Sequence, residues 1–242
     1  SGNVSTCTFD VAVVDTTVPT LTCPPALLPV EATSSAGAAV IYNAAVATDI
    51  GDDSVAITYS AASASTFAIG TTTVTATATD DNGNVSTCSF DVVVTDTTVP
   101  TITCSDDIST EATSSAGASV SYDTTATDVG DASLDMTYSA ASASTYAIGT
   151  TTVTATATDD NGNNSTCSFD VTVVDTTVPT ITCATAPGTA EATSPSGAAV
   201  SYDVATATDI ADDSVDITYS AASASTFAIG TTTVTATATD DN

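Results

Sequence analysis

The chain of 242 residues contains no lysine, no arginine and no histidine. Against that absence stand 29 aspartates and glutamates, for a formal net charge of −29. Without cations the chain cannot neutralise phosphates, which excludes nucleic acid as a partner. Without histidine there is no Ser-His-Asp triad, no imidazole acid–base group and no His metal site. Tryptophan is absent, and aromatic residues make up only 5% of the chain. No apolar run approaches the roughly 20 residues that span a bilayer, so no membrane insertion is expected, and an anionic membrane surface would repel the chain. Neither an initiator Met nor a signal peptide opens the sequence, which reads as a mature or excised segment. Uncompensated charge of one sign implies bound cations, high solubility, or both.

What is present is repetition. Asp-Thr-Thr-Val-Pro-Thr begins at 15, 96 and 175, spacings of 81 and 79 residues. Cysteines recur at 7, 88 and 167, and at 23, 104 and 183. A unit of about 80 residues buries a modest core, and small secreted domains of that size usually add a covalent staple. The array is cut out of phase. Asp-Asp-Asn-Gly-Asn is whole at 80–84 and 159–163, whereas the sequence closes on Asp240-Asp241-Asn242 and opens on Ser1-Gly2-Asn3. Joining one tail to the next head restores the motif.

Strand signals dominate. Thr73 to Thr79 alternates strictly, with Val74, Ala76 and Ala78 on one face and threonines on the other. The partner strand, Val85 to Asp96, puts Cys88, Phe90, Val92 and Val94 on one face, and Asp81-Asn82-Gly83 between the two marks a hairpin. Further strands are expected at 20–23, 38–47 and 55–60, with a short segment at 67–69, and no stretch carries a helical period with caps. Short strands at this spacing predict an all-β chain of tandem immunoglobulin-like β-sandwiches in a linear head-to-tail array. The expected divisions are residues 1–15 as a last strand belonging to a neighbouring repeat, 16–95 and 96–174 as complete repeats, and 175–242 as a repeat lacking its final strand.

The combined pattern resembles the hyalin repeat, or HYR, domain family. It runs Asp-Thr-Thr-Val-Pro-Thr-Ile-Thr-Cys, then Ala-Thr-Asp, then Phe-Ala-Ile-Gly-Thr-Thr-Thr-Val-Thr-Ala-Thr-Ala-Thr-Asp-Asp-Asn-Gly-Asn, then Ser-Thr-Cys-Ser-Phe-Asp-Val-Thr-Val. The resemblance covers essentially the whole chain three times over. It implies an immunoglobulin-like sandwich in extracellular, often adhesive, multi-domain proteins, and it implies no enzymatic activity. Hyalin repeats often carry a second cysteine pair; here each repeat has two cysteines. Two pairings are open. Cys23–Cys88 and Cys104–Cys167 would staple first strand to last, closing about 65 residues for roughly 4 kcal/mol in the loop-entropy model. Cys7–Cys23 and Cys88–Cys104 would instead fold a stiff Pro-containing linker back on itself. The first pairing leaves Cys7 and Cys183 to pair between copies.

In such a sandwich the acids gather at the joints. Asp15 approaches Asp49, Asp52, Asp53, Asp80 and Asp81; Asp96 approaches Asp128, Asp131, Asp159 and Asp160; Asp175 approaches Asp209, Asp212, Asp213, Asp240 and Asp241. These are candidate ligands for structural Ca2+, which takes six to eight oxygens, and no other cofactor is expected. The plainer alternative is that they form turns facing water. Recurrent acids also raise glycosidase chemistry, but no cleft is suggested. Asn3, Asn84, Asn163 and Asn164 head sequons for N-linked glycans, and the threonine rows and stretches such as 220–225 offer O-linked positions.

The sequence therefore points to a structural subunit or segment of an extracellular fibre whose partner is itself, head to tail. Either one polypeptide continues through the array, or strand 1–15 of one copy completes the third domain of the next. The competing reading is an adhesive module that presents repeat loops to a cell-surface ligand.

Overall fold

The structure, a computed structural model, describes residues 1–241. Every regular element among the described residues is a β-strand. In the first repeat these are β1 (Thr20–Thr22), β2 (Val30–Glu31), β3 (Ala38–Ala39), β4 (Val46–Thr48), β5 (Ala56–Tyr59), β6 (Thr66–Phe67), β7 (Gly70–Thr79) and β8 (Val85–Thr95). One sheet runs β2-β8-β7-β5, and the pairs β1-β4 and β3-β6 complete the repeat. The strict alternation of β7 buries Val74, Ala76 and Ala78, and β8 answers with Phe90, Val92 and Val94. These side chains pack with Ala38, Val40 and Phe67 from the β3–β6 side, and Tyr42 lies 4.9 Å from Phe90 between ring centroids. Cys23 and Cys88 form a disulfide with a Cα–Cα distance of 5.9 Å.

The β7–β8 hairpin turns on residues 80–84. The Gly83 N–H donates to the Asp80 carbonyl, the Asp80 N–H donates to the Asn84 carbonyl, and Gly83 has φ +87°. That is a type I turn closed by a left-handed residue, a position glycine takes without a Cβ penalty. The strand expected at 38–47 breaks into β3 and β4. Between them the Tyr42 N–H donates to Ser63 Oγ and the Ala45 N–H donates to the Tyr59 hydroxyl, so side chains replace the ladder. The short β2 was not anticipated. It runs parallel to the end of β8, Val30 opposite Val94 and Glu31 opposite Thr95.

The second repeat repeats this plan with β9 (Thr101–Thr103), β10 (Ile108–Glu111), β11 (Ala118–Val120), β12 (Thr125–Thr127), β13 (Asp135–Tyr138), β14 (Ser144–Tyr146), β15 (Gly149–Thr158) and β16 (Asn164–Val174). Its main sheet has the order β10-β16-β15-β13, and Cys104 bonds Cys167.

The third repeat has β17 (Thr180–Thr182), β18 (Ala198–Ala199), β19 (Thr206–Thr208), β20 (Asp216–Tyr219), β21 (Thr226–Phe227) and β22 (Ala236–Thr239). The pairs β17-β19, β18-β21 and β20-β22 form, but Ala190–Glu191, in the place of β2, is irregular and exposed. Residues 1–14 carry no strand and are exposed. By internal contacts the chain divides into two compact units. The first holds Ser1–Thr101 with Thr127–Asp135 and Thr158–Asn164; the second holds Ile102–Ala126, Met136–Ala157 and the chain from Ser165 on.

Candidate functional site

Two features stand out, an acidic cluster at each of two joints and an open groove in the third repeat. The clusters begin with local turn chemistry. Asp96 Oδ1 accepts hydrogen bonds from the Thr98 N–H at 3.2 Å and the Thr98 hydroxyl at 2.6 Å. Asp128 Oδ1 accepts the Gly130 N–H at 2.7 Å. Asp159 Oδ1 accepts the N–H groups of Asn161 and Asn163, at 2.9 and 2.8 Å, inside the hairpin turn. Each aspartate thereby folds its own loop, as short carboxylate side chains do at turns. The Asn163 side-chain amide ties the loops together, donating to the Asp96 carbonyl at 3.2 Å and to Asp159 Oδ2 at 2.8 Å. One oxygen from each of Asp96, Asp128 and Asp159 lies within 4.8 Å of the others, and the same holds for Asp15, Asp49 and Asp80. All of these residues belong to the first compact unit.

Burial separates the two clusters at one residue: Asp96 is 5% exposed whereas Asp15 is half-buried, while Asp80 and Asp159 are both buried and Asp49 and Asp128 are both half-buried. Asp96 Oδ2 is buried and accepts no hydrogen bond from any described residue, as is Oδ2 of Asp15 and of Asp175. The Thr17 hydroxyl and backbone N–H hold the Asp15 carboxyl below its ordinary value. Burial pushes Asp159 upward, but hydrogen bonds from the Asn163 side chain and the N–H groups of Asn163, Asn161 and Gly162 outweigh it and leave the carboxyl low.

Not every expected acid joins a cluster. Asp52 accepts the N–H groups of Ser54 and Asp81, Asp131 those of Ser133 and Asp160, and Asp212 those of Ser214 and Asp241. These three brace one loop against the next hairpin, and the carboxylates of Asp81, Asp160 and Asp241 belong to exposed residues. Asp213 accepts the Ser115 hydroxyl at 2.7 Å. Asp175, Asp209 and Asp240 do not form a third such group among the described residues. Sequence position explains part of this. A Cβ on Gly130 would sit 2.1 Å from Asp96 Oδ2, and one on Gly51 2.3 Å from Asp15 Oδ2, but the third repeat has Ala211 there.

Glu31 and Glu111 were missed by sequence reasoning. Glu31 accepts the Thr97 N–H and hydroxyl at 2.7 and 3.0 Å, and Glu111 accepts those of Thr176 at 2.6 and 3.1 Å. Their recurrence in Glu-Ala-Thr-Ser at each repeat was the available signal. Of the sequon asparagines, Asn84 and Asn163 spend their amides on the joints, Asn84 donating to Asp80 Oδ2 at 2.7 Å, while Asn3 and Asn164 are exposed.

The groove lies in the second compact unit and measures about 660 Å³. Phe227, Val234, Ala236, Tyr202 and the free Cys183 line it. In the complete repeats the matching Val74 and Val153 are fully buried.

Disulfide-stapled all-β sandwiches in tandem, with acids at their joints, define the class. The HYR domain model matches residues 14–94, 95–173 and 174–242, and the chain belongs to that family. It is 32% identical over 236 residues to the hyalin of Strongylocentrotus purpuratus, covering 94% of this chain and 20% of that protein. With the hyalin of Lytechinus variegatus it shares 34% over 221 residues, covering 87% of this chain and 41% of the relative. The chain thus spans between a fifth and two-fifths of the length of these hyalins. Solved structures with some likeness include a protocadherin gammaB7 EC3-6 cis-dimer, at 16% identity and TM-score 0.36, covering 84% of this chain and 64% of that one. Drosophila N-cadherin EC1-4 shares 14% identity at TM-score 0.34, covering 66% of this chain and 50% of that one.

Proposed function

We propose that this chain is a non-enzymatic building block of an extracellular fibre in which copies join head to tail. Residues 4–14 of one copy fill the groove in the third repeat of the next, taking the place that β8 and β16 hold in the first two repeats. The observation that carries this reading is a matched pair of unsatisfied surfaces. Phe9 is 83% and Val13 92% exposed, whereas the equivalent Phe90 and Val94 are 8% and 1% exposed. The β7–β8 register, Val74 opposite Phe90 and Ala76 opposite Cys88, carries over to set Phe9 on Val234 and Cys7 on Ala236. Cys7 then meets Cys183 as Cys88 meets Cys23, and Thr16 meets Glu191 as Thr97 meets Glu31. A disulfide there requires an external thiol oxidant to take two electrons and two protons. Membership in the HYR family, the two stapled sandwiches and the likeness to hyalins support placement outside the cell and an adhesion-related role for the assembled surface.

In this reading the acidic joints hold structural Ca2+, and glycans attach at the exposed Asn3 and Asn164 in preference to Asn84 and Asn163. The experiment is non-reducing denaturing electrophoresis of the purified chain with light scattering of the native protein. Bands at multiples of one chain that collapse on reduction are the expected result. Monomers with two free thiols per chain at high protein concentration would refute strand exchange.

A further inference from the structure

We infer that residues 188–192 are a strap. It stays open while the third repeat is unfilled, then folds as a parallel edge strand onto the strand captured from a neighbouring copy and holds it there. The inference deepens the reading of the groove as the seat of residues 4–14 and rests on it. Capture engages one flank of the incoming strand, where residues 230–239 pair with it; the strap engages the other flank.

The first support is what the complete repeats do on that second flank. β8 lies between β7 and β2, and β16 lies between β15 and β10. Val30 stands opposite Val94 and Glu31 opposite Thr95, in parallel; β10 meets β16 in the same sense, from Ile108 opposite Val171 to Glu111 opposite Val174. One backbone bond follows each short strand. The Ala32 N–H donates to the Thr95 carbonyl and the Ala112 N–H to the Val174 carbonyl, both at 2.7 Å. Ala32 is 5% and Ala112 3% exposed. The third repeat keeps the same Glu-Ala-Thr-Ser at 191–194, yet residues 188–191 carry no strand and Ala192 is exposed. The turn that follows is nonetheless formed. The N–H groups of Thr193 and Ser194 donate to the Gly197 carbonyl at 3.1 Å, as those of Thr33 and Ser34 do to Gly37. The strap is therefore anchored at its C-terminal end, and only its pairing partner is missing.

The second support is side-chain anchorage. Leu27 and Val30 pack against the core of the first repeat, and Ile108 against that of the second. Counted back from the glutamate, their places in the third repeat fall to Pro187, Ala190 and Gly188. The strap thus has little apolar surface with which to hold itself down, and Gly188 adds to the entropy lost on ordering. Backbone pairing with the captured strand is what orders it. By the register of β2, Ala190 stands opposite Val13 and Glu191 opposite Val14, and the Ala192 N–H donates to the Val14 carbonyl. The strap then covers the outer edge of the captured strand, whose N–H and C=O groups would otherwise be unpaired. Because it closes after the strand is seated, it slows release without speeding capture.

The test is hydrogen exchange, read by mass spectrometry on the segment 184–193, in single chains and in disulfide-linked chains. The segment should exchange freely in single chains and at least about tenfold more slowly in linked ones. Two variants, Ala192→Pro and Glu191→Ala, are then compared with the parent in a Cys183→Ser background, where chains associate without a covalent link. Mixing labelled and unlabelled chains gives the rates of capture and release. Each variant should release its partner about tenfold faster, the loss expected for one or two hydrogen bonds, with capture changed by no more than about twofold. Linked chains whose 184–193 segment exchanges as fast as in single chains would overturn the strap and leave strand capture standing. A segment already protected in single chains would overturn it equally. Release rates unchanged in both variants would overturn its holding role. Chains that never associate, with or without the link, would overturn capture and strap together.

Discussion

Phe90, Phe169 and Phe9 hold the same place in three copies of one motif, Cys-x-Phe-Asp-Val. Two are buried and one is exposed, and the difference is whether a sandwich surrounds them. Phe169→Ala should therefore cost about 3–5 kcal/mol by emptying a core in which the ring lies 4.9 Å from Tyr122, measurable by chemical denaturation. Phe9→Ala should leave the unfolding of a single chain unchanged and weaken end-to-end association, measurable by light scattering. The inward residues of these strands were legible from alternation, since period two fixes which side faces the core. The acids were legible only as a group. An aspartate that folds its own turn and one that also offers a free oxygen look alike in sequence, so Asp52 and Asp131 entered with Asp49 and Asp128. Glu31 stayed hidden because a strand as short as Val30–Glu31 has no periodicity to read.

At the scale of elements, the decapeptide Gly-Thr-Thr-Thr-Val-Thr-Ala-Thr-Ala-Thr occurs three times without change, at 70–79, 149–158 and 230–239. It forms ten-residue strands in β7 and β15 but only Ala236–Thr239 in the third repeat. Local propensity is identical, so the partner strand decides the outcome. Sequence identifies a strand here, but not whether a neighbour is present to pair with it. The hairpin is more local. Gly83 has φ +87° and open space where a Cβ would stand, so Gly83→Ala should cost about 1–2 kcal/mol from backbone strain alone, read as a lower denaturation midpoint. The staple acts over a longer range. Replacing Cys104 and Cys167 together by serine opens a loop with a sequence separation of 63 and should lower stability by about 4 kcal/mol, measured by the same method.

The whole molecule carries a net charge of −29 with nothing to offset it. Association of two such chains works against long-range repulsion, which about 0.15 M salt confines to roughly 8 Å. End-to-end assembly should strengthen as NaCl rises toward that concentration, and light scattering at fixed protein concentration measures it. The central claim is that the open third sandwich of one copy receives the first strand of another. The most direct measurement mixes equal amounts of nitrogen-15 and unlabelled chains, reduced and then reoxidised together, and maps disulfide-linked peptides by mass spectrometry. The expected result is a Cys7–Cys183 peptide pair that carries mixed labels in about half of its copies, beside Cys23–Cys88 and Cys104–Cys167 pairs that are never mixed. Cys7 and Cys183 found as free thiols, or linked only within a uniformly labelled chain, would contradict it.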